Sequence, residues 1–158
     1  MKSSFLFFVI VLALSVLFQG CSSSDEEEPL PPPPPPLPTL KIGVMLPYSG
    51  EYASDWDNSL DWAVENINHA GGVSGCNIEL VKKDIAVENI AEVADGFISD
   101  TTITAVIGPF TSTQTFEVAP KFIKGNKVLI APVATAASIS RAFAGSNYFW
   151  RLTEPDIS

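Results

Sequence analysis

Residues 103–120 read ITAVIGPFTSTQTFEVAP and contain a strand, a break and the start of a helix. The apolar run from Ile103 to Ile107 is typical of a buried strand, and a Gly-Pro pair closes it. The TSTQ segment that follows offers several possible N-caps for a helix beginning at about Ser112. We expect Pro120 to kink or shorten this helix. The stretch therefore predicts a strand that passes directly into a helix.

The same alternation continues on both sides of this stretch. Further strands are predicted at Leu40–Leu46, around Ile78–Val81, at Val128–Ala131 and around Tyr148–Trp150. Apolar residues at helical spacing predict two longer helices, one through Leu60, Ala63, Val64 and Ile67 and one through Ile90, Val93, Ala94 and Phe97, with a short helix near Ser138–Phe143. This order predicts the α/β class, as a doubly wound parallel sheet with helices on both faces. Ligands collect at the carboxyl ends of such strands.

The first 20 residues have the pattern of a secretory signal peptide. Residues 5–18 form an apolar run behind Lys2 that is short for a membrane span but suits a signal core. Cys21 follows directly after Gly20, an arrangement typical of a lipidated cysteine. We expect an exported protein from which residues 1–20 are removed and in which Cys21 is lipidated. The alternative is a short N-terminal membrane anchor.

Residues 21–39 have the composition of a tether. After Cys21 come SSSDEEE and then PLPPPPPPLP, which cannot bury a core. Prolines favour an extended polyproline II rod, so Pro29–Pro38 would extend roughly 30 Å at about 3.1 Å per residue. The segment could hold a domain clear of a membrane surface. The alternative is a ligand for a proline-recognition module.

Composition and motifs exclude several classes of function. Nine Lys and Arg residues face eighteen Asp and Glu residues without any basic patch, so nucleic acid is not expected as a partner. The only histidine is His69, and Cys76 has no partner once Cys21 is lipidated, so neither a zinc site nor a disulfide is expected. The chain has no G-x-S-x-G elbow and no phosphate-binding G-x-x-x-x-G-K. We therefore expect a protein without cofactors that is not an enzyme.

Five stretches in order carry a family resemblance. They are IGVMLPYSG at 42–50, INHAGGVSGCNIELVKKD at 67–84, AVIGPFTSTQTFEVAP at 105–120, LIAPVATAASIS at 129–140 and YFWRLTEPD at 148–156. Together they resemble the branched-chain-amino-acid-binding family of periplasmic binding proteins, with the type I fold. The resemblance implies two lobes that close on a solute like a hinged shell. Residues 40–158 would be the N-terminal lobe, incomplete, so we expect a fragment or a truncated gene.

The turn after the strand Ile103–Ile107 is the first candidate for solute recognition. A helix that starts at a strand's carboxyl end presents free amides and its positive dipole end, which can hold a carboxylate. The resemblance places the family's carboxylate-binding serine at Ser112, beside Thr113. It also implies that backbone groups of Val133, together with Thr135, bind the carboxylate and ammonium ends of the ligand. On the residues alone, these are plain N-caps and a small-residue connection.

Aromatic residues in the first loop form a second candidate group. Tyr48 and Trp56 could supply a wall against an apolar solute side chain, together with Ser49 and Tyr52. The match to the family is loose there, because this chain has Asp55, Trp56 and Asp57 where family members often show an aromatic followed by glycine. Surface aromatics are the alternative. Arg151 opens a family-like run that we expect to be structural.

Together with the signal-peptide pattern, the resemblance implies an extracytoplasmic solute-binding lipoprotein of an ABC importer, located in the cell envelope and facing the periplasm or the outer surface. Its expected partners are a branched-chain or similar amino acid or small polar solute, an ABC permease, and the membrane through the lipid on Cys21. One alternative is a ligand-sensing receptor domain of the same fold. Another is a truncated surface lipoprotein that binds nothing.

Overall fold

A computed structural model describes residues 35–86 and 88–156. The expected signal peptide, Cys21 and most of the expected tether lie outside these residues. Five strands alternate with four helices in the described part of the chain. In chain order they are β1 Thr39–Leu46, α1 Ala53–His69, β2 Asn77–Asp84, α2 Ile90–Ser99, β3 Ile103–Ile107, α3 Ser112–Lys124, β4 Val128–Ala131, α4 Ala137–Ala142 and β5 Phe149–Arg151.

The five strands form one parallel sheet in the order β2-β1-β3-β4-β5. The chain moves to one side from β1 to β2 and then returns past β1 to β3, so the direction of winding reverses at β1. Because parallel crossovers are right-handed, α1 covers one face of the sheet and the later helices cover the other. The predicted doubly wound parallel sheet is confirmed.

The main core lies between the sheet and the paired helices α2 and α3. Its largest fully buried side chains come from both layers, with Met45, Val106 and Leu129 on strands and Ile90 and Phe122 on helices. The apolar stripe of α1 is only partly covered, and α1 has no buried residue. The two faces of the sheet are therefore packed to very different degrees. No helix in the described residues is both long and apolar enough to cross a membrane.

Three predicted boundaries are corrected. Pro120 does not shorten α3, which continues to Lys124. Buried residues lie on both sides of the proline and hold the helix on the core: Val118, Ala119 and Phe122. The last strand is Phe149–Arg151 rather than Tyr148–Trp150, since it pairs with Leu129–Ala131 of β4. The sheet begins at Thr39, inside the range expected for the tether, and the carbonyl of Pro38 already accepts a hydrogen bond from the Asn77 amide at 2.8 Å.

Two asparagine side chains occupy the free edge of β2. Asn68 accepts a hydrogen bond from the amide of Ile78 at 2.7 Å and donates one to the carbonyl of the same residue at 2.9 Å. Asn89 donates to the carbonyl of Asp84 at 3.1 Å. Both ends of this edge strand are therefore paired, as is usual where a protein protects an exposed edge.

Candidate functional site

The reversal of winding at β1 separates the loops that follow β1 and β3. In open parallel sheets this separation opens a crevice at the carboxyl ends of the strands, where ligands bind. The crevice of this chain is the space beside three loops, residues 47–52 after β1, residues 108–111 after β3 and residues 132–136 after β4. Every predicted site residue except Cys21, Trp56, Ser112 and Thr113 belongs to one of these loops, and the last three lie in the helical turns that follow them.

The β3 loop lies against the backbone of β1. Gly108 has a φ of 117°, and a Cβ at this position would approach the carbonyl oxygen of Met45 to 2.1 Å. Its amide donates to the carbonyl of Ile130 on β4 at 2.9 Å. Only glycine fits this conformation and this contact. The glycine thus fixes where the loop leaves the sheet, between the two neighbouring strands.

Thr111 is the N-cap of α3. Its hydroxyl oxygen accepts a hydrogen bond from the Gln114 amide at 3.2 Å, and the Gln114 side chain accepts from the Thr111 amide at 3.3 Å, which is a complete capping box. Of the several N-caps that the sequence allowed, the structure selects this one. The capping function is therefore taken by Thr111, and the hydroxyl of Ser112 is not needed for it.

Ser112 instead joins the β3 and β4 loops. Its half-buried hydroxyl oxygen accepts a hydrogen bond from the amide of Ala136 at 3.1 Å. A hydroxyl can accept and donate at once, so its proton stays available to a further acceptor. Within the described residues, no acceptor pairs with the amides of Ser112 and Thr113, which are the first two of the helix. Three donors are thus present at the start of α3.

The β4 loop is held by Arg151 from β5. The guanidinium Nη1 donates to the carbonyl of Ala136 at 3.0 Å, and Nη2 donates to the hydroxyl of Ser140 at 2.6 Å. The carbonyl of Thr135 accepts from the amide of Asp156 at 2.8 Å. Val133 and Thr135 are half-buried in this loop. These contacts give Arg151 the structural role expected for it and fix the loop beside Ser112.

Trp56 contacts the β3 loop from the other side of the crevice. Its ring meets that of Phe110 edge to face, with ring centroids 4.5 Å apart and planes at 87°. Such pairs are attractive beyond their buried area. Sequence reasoning missed Phe110, although its position between the Gly-Pro break and the cap of α3 places it at the strand tip. The pair is the apolar part of the crevice.

Tyr48 does not join this group. Its amide donates to a carboxylate oxygen of Asp84 at the end of β2, 2.7 Å away. Its hydroxyl is buried without a hydrogen-bond partner among the described residues. Burial, with the carboxylate of Asp57 as the second cause, raises the pKa of Tyr48 to about 12. The groups that act on the Tyr48 hydroxyl, Asp57 first among them, therefore belong to α1 and β2.

Three concavities of the described surface lie elsewhere, and the largest of these three, of about 490 Å³, lies between the end of α3 and the loop before β5. A second of about 370 Å³ lies between β2 and α2, and a third of about 370 Å³ lies beside α4 and β5. None of the three is lined by Ser112, Thr135 or Trp56. The crevice is thus an open surface in this part of the chain, bordered by donors at α3 and by aromatic rings at α1.

Residues 39–156 match the profile of a protein family described as periplasmic binding protein. Two curated relatives were found by sequence. The "Chemotactic signal transduction system substrate-binding protein BasB" of Halobacterium salinarum is 30% identical over 112 residues, which covers 64% of this chain and 26% of that protein. An "Amino acid binding protein" of Pseudomonas aeruginosa is 31% identical over 109 residues, covering 66% of this chain and 29% of the relative.

Solved structures share the fold. The branched-chain amino acid transporter substrate-binding protein LivJ of Streptococcus pneumoniae, in complex with isoleucine, is 31% identical with a TM-score of 0.65, over 74% of this chain and 34% of that one. An ABC transporter substrate-binding protein of Desulfitobacterium hafniense, in complex with Leu, is 26% identical with a TM-score of 0.66, over 74% of this chain and 35% of its own. These relatives are substrate-binding proteins and not enzymes.

The chain spans between 26% and 35% of the length of these four relatives. The match over residues 39–156 covers most of the chain, and the fold agrees with the two solved structures at TM-scores of 0.65 and 0.66. The resemblance stated from the sequence is confirmed. The chain belongs to the periplasmic binding protein family.

Proposed function

We propose that this chain supplies one wall of the solute site of an extracytoplasmic binding protein that serves an ABC importer. The solute is an amino acid of the branched-chain type or a similar small polar molecule with a carboxylate. The observation that carries the proposal is the group of three donors at the start of α3, formed by the Ser112 hydroxyl and the amides of Ser112 and Thr113.

These donors suit a carboxylate without any buried cation. The amides at a helix start point along the axis, and the helix dipole adds a positive potential at the same place. The Ser112 hydroxyl is oriented by the Ala136 amide, which donates to its oxygen and leaves the proton for the solute. Binding a charged acceptor through preset donors loses little entropy, so the site can be selective for anionic groups.

The rest of the solute would extend away from α3 along the crevice. In the β4 loop, backbone groups of Val133 and the residue Thr135 are the candidate partners of the carboxylate and ammonium ends, beside Ser112. Trp56 and Phe110 offer an apolar surface for an aliphatic side chain. Because the amide of Tyr48 donates to Asp84 and its hydroxyl lies near Asp57, we propose Trp56 and Phe110 for this surface in place of Trp56 and Tyr48.

The solute class is supported by relatives above 25% identity that were solved with leucine and isoleucine and by the amino acid binding protein of Pseudomonas aeruginosa.

In the whole protein, a second lobe would close over the solute. We propose residues 1–20 as a signal peptide, residues 21–38 as the tether and residues 39–158 as part of the first lobe, with a lipid on Cys21 holding the protein at a membrane. A Cys21→Ala variant that still takes up radiolabelled palmitate would contradict that anchor.

A sensing role is the second candidate, and one relative favours it. BasB of Halobacterium salinarum is described as part of a chemotactic signal transduction system. The solute chemistry would be the same in both roles, so only the partner differs. Loss of solute uptake with intact chemotaxis in a deletion strain would support import, and the reverse would support sensing. A surface lipoprotein that binds nothing remains the third alternative.

Calorimetric titration of the intact protein with a panel of amino acids and aromatic acids tests the proposal. We expect binding of one solute class at a one-to-one ratio. The Ser112→Ala variant should bind about tenfold to a hundredfold more weakly, since a hydrogen bond to a charged group contributes about 1.5–3 kcal/mol. Ser112→Thr, which keeps the hydroxyl, and Ser99→Ala, which lies on α2 far from the crevice, are the matched controls. No heat from any solute in the wild-type protein would refute the proposal.

A further inference from the structure

We infer that Lys82 is a positioning residue for the solute crevice, because it holds the first two turns of α1 on the sheet and thereby sets the place of Trp56. The inference rests on the proposed function of the crevice, which assigns Trp56 to the surface that meets the solute. Lys82 itself lies on β2, where its hydrogen bonds and ion pairs within the described residues involve Asp57 and Asp61 and not Trp56 or the β3 loop.

α1 has few other attachments to the sheet. None of its residues is buried, and its N-cap, Tyr52, makes no side-chain hydrogen bond to the helix. Trp62, on its outward side, is 69% exposed. A helix on a sheet normally owes its position to a buried apolar face, which contributes most of its stability. Here that contribution is small, so polar contacts carry more of the positioning.

Lys82 provides the polar contact of the first two turns of α1, whereas Asn68 pairs with Ile78 in the last turn. The ammonium nitrogen of Lys82 lies 2.6 Å from Asp57 and 2.6 Å from Asp61, which are one helical turn apart on the same side of α1. The lysine side chain is 27% exposed and that of Asp57 is 36% exposed. Desolvation lowers the pKa of Lys82, but its close contacts with the two carboxylates outweigh desolvation and raise the pKa above its ordinary value.

Asp57 depends on Lys82 in particular. Its Oδ1 atom is buried, and no hydrogen-bond donor of good geometry faces it among the described residues, so the ion pair with Lys82 is its compensation. Removing the lysine would leave a buried carboxylate oxygen unpaired, which costs more than the ion pair contributes. Asp61 is more exposed, so its pair with Lys82 is screened more strongly by salt.

Trp56 is the residue directly before Asp57, in the first turns of α1. The ring of Trp56 packs on Phe110 in the β3 loop. Fixing Asp57 therefore limits how far the backbone at Trp56 can move from the sheet. A small displacement there would separate the two rings and change the apolar surface of the crevice, so the effect of Lys82 reaches the solute through one peptide unit and one aromatic contact.

The test uses Trp56 as its own probe, in the intact protein. Trp62 and Trp150 are exposed and are replaced by Phe, which leaves Trp56 as the only one of the three tryptophans of this chain. Any tryptophan in the rest of the intact protein is likewise replaced by Phe. In this background, Lys82→Met should raise the quenching of Trp56 by acrylamide about twofold without solute. It should weaken isoleucine binding about threefold to tenfold, the range for residues that act on a site without touching the ligand.

Two variants separate positioning from general stability. Lys82→Arg can bridge the same two carboxylates and should restore both readouts. Lys41→Met removes the exposed pair of Lys41 with Glu79, 3.8 Å apart on the adjoining strands, and should change neither. Raising NaCl from about 0.05 M to about 0.5 M should increase quenching in the wild type and much less in Lys82→Met. A change of folding stability alone would not produce this salt response or the rescue by arginine.

The outcomes distinguish this inference from the proposed function. Unchanged quenching of Trp56 in Lys82→Met overturns the inference, whether or not any solute binds. Raised quenching with unchanged isoleucine affinity shows that the position of Trp56 does not serve the crevice, and this also overturns it. If the wild type binds no solute, the proposed function fails while the quenching result still decides the role of Lys82 on α1. If Lys82→Met does not fold, Asp61→Asn should also increase the acrylamide quenching of Trp56, but by a smaller amount. Unchanged quenching in Asp61→Asn would then overturn the inference.

Discussion

The two sides of the crevice are held in place by different interactions. On the α3 side, the helix buries Thr115, Val118, Ala119 and Phe122 in the main core, and a capping box fixes its start. On the α1 side, the helix buries no residue and one lysine pairs with two of its carboxylates. Apolar burial and backbone pairing therefore fix the donors for the carboxylate, whereas charge fixes the aromatic ring of Trp56.

This difference separates two requirements of one site. Donors must be preset within tenths of an ångström for a carboxylate, since hydrogen bonds weaken steeply with angle and distance. An apolar surface tolerates small shifts, because burial is not directional. Screening by salt weakens ion pairs near the surface but not a packed core. Conditions that change charge should thus move the α1 side and leave the α3 side intact.

The largest effect is expected from the core beneath α3. Phe122→Ala removes a fully buried ring and should destabilise the protein by about 3–5 kcal/mol. Leu60→Ala, in the partly covered stripe of α1, should cost less than half of that. Urea unfolding followed by circular dichroism measures both. Equal losses of unfolding free energy would mean that α1 and α3 are packed alike, which would contradict the difference between the two sides of the crevice.

Next in size is the loop that carries α3. Gly108→Ala should cost about 3 kcal/mol or more, because it combines a positive φ with a collision against the Met45 carbonyl. Gly96→Ala is the control. This glycine lies inside α2 with open space around it, so alanine there should stabilise the protein by about 0.5–1 kcal/mol. A neutral Gly108→Ala would show that the loop can leave the sheet in another way.

The cap of α3 should have a moderate effect. Thr111→Ala removes the acceptor for the Gln114 amide and should cost about 1 kcal/mol. Thr113→Ala, whose hydroxyl is exposed in the first turn, should leave the unfolding midpoint almost unchanged. Thermal unfolding of the two variants in parallel checks the assignment. A larger loss of stability in Thr113→Ala than in Thr111→Ala would show that the cap is assigned to the wrong residue.

The smallest effect is expected beside Lys82. The pKa of Tyr48 is raised to about 12 in the folded protein, so between pH 10 and pH 12 the unfolded state binds fewer protons and stability falls as pH rises. The raised pKa of Lys82 gives a slope of the same sign. Tyr48→Phe should leave stability at pH 7 unchanged or slightly higher. Above pH 10, the stability of this variant should decrease less steeply with pH than that of the wild type. A slope identical to that of the wild type would contradict this assignment.

The sequence predicted the order and type of all nine elements, because the apolar spacing of each strand and helix is local. It also placed the start of α3 at Ser112. It could not decide which hydroxyl caps that helix, since the answer depends on the pairing of Ser112 with Ala136, 24 residues away. The packing of Trp56 on Phe110 and the pairing of Lys82 with Asp57 likewise join distant residues, and only the strand order brings them together.

The aromatic wall shows the same limit from the other direction. Tyr48 and Trp56 are close in sequence and belong to one loop and the helix after it, so they were assigned to one surface. The structure turns Tyr48 toward Asp57 and Asp84, and leaves Trp56 facing the β3 loop. The spacing of apolar residues and the local composition predict that an aromatic residue lies near the end of a strand. They do not predict the direction in which its side chain leaves the loop.

The paired ends of β2 also govern how two copies of this molecule could meet. Backbone groups of a strand point alternately to its two sides, so Ile78, Leu80, Lys82 and Asp84 face away from β1. With Ile78 and Asp84 already engaged by Asn68 and Asn89, a strand from another copy would find only Leu80 and Lys82 free. Two residues are too few to fix a register, so the β2 edge offers another copy little opportunity to extend the sheet on this side.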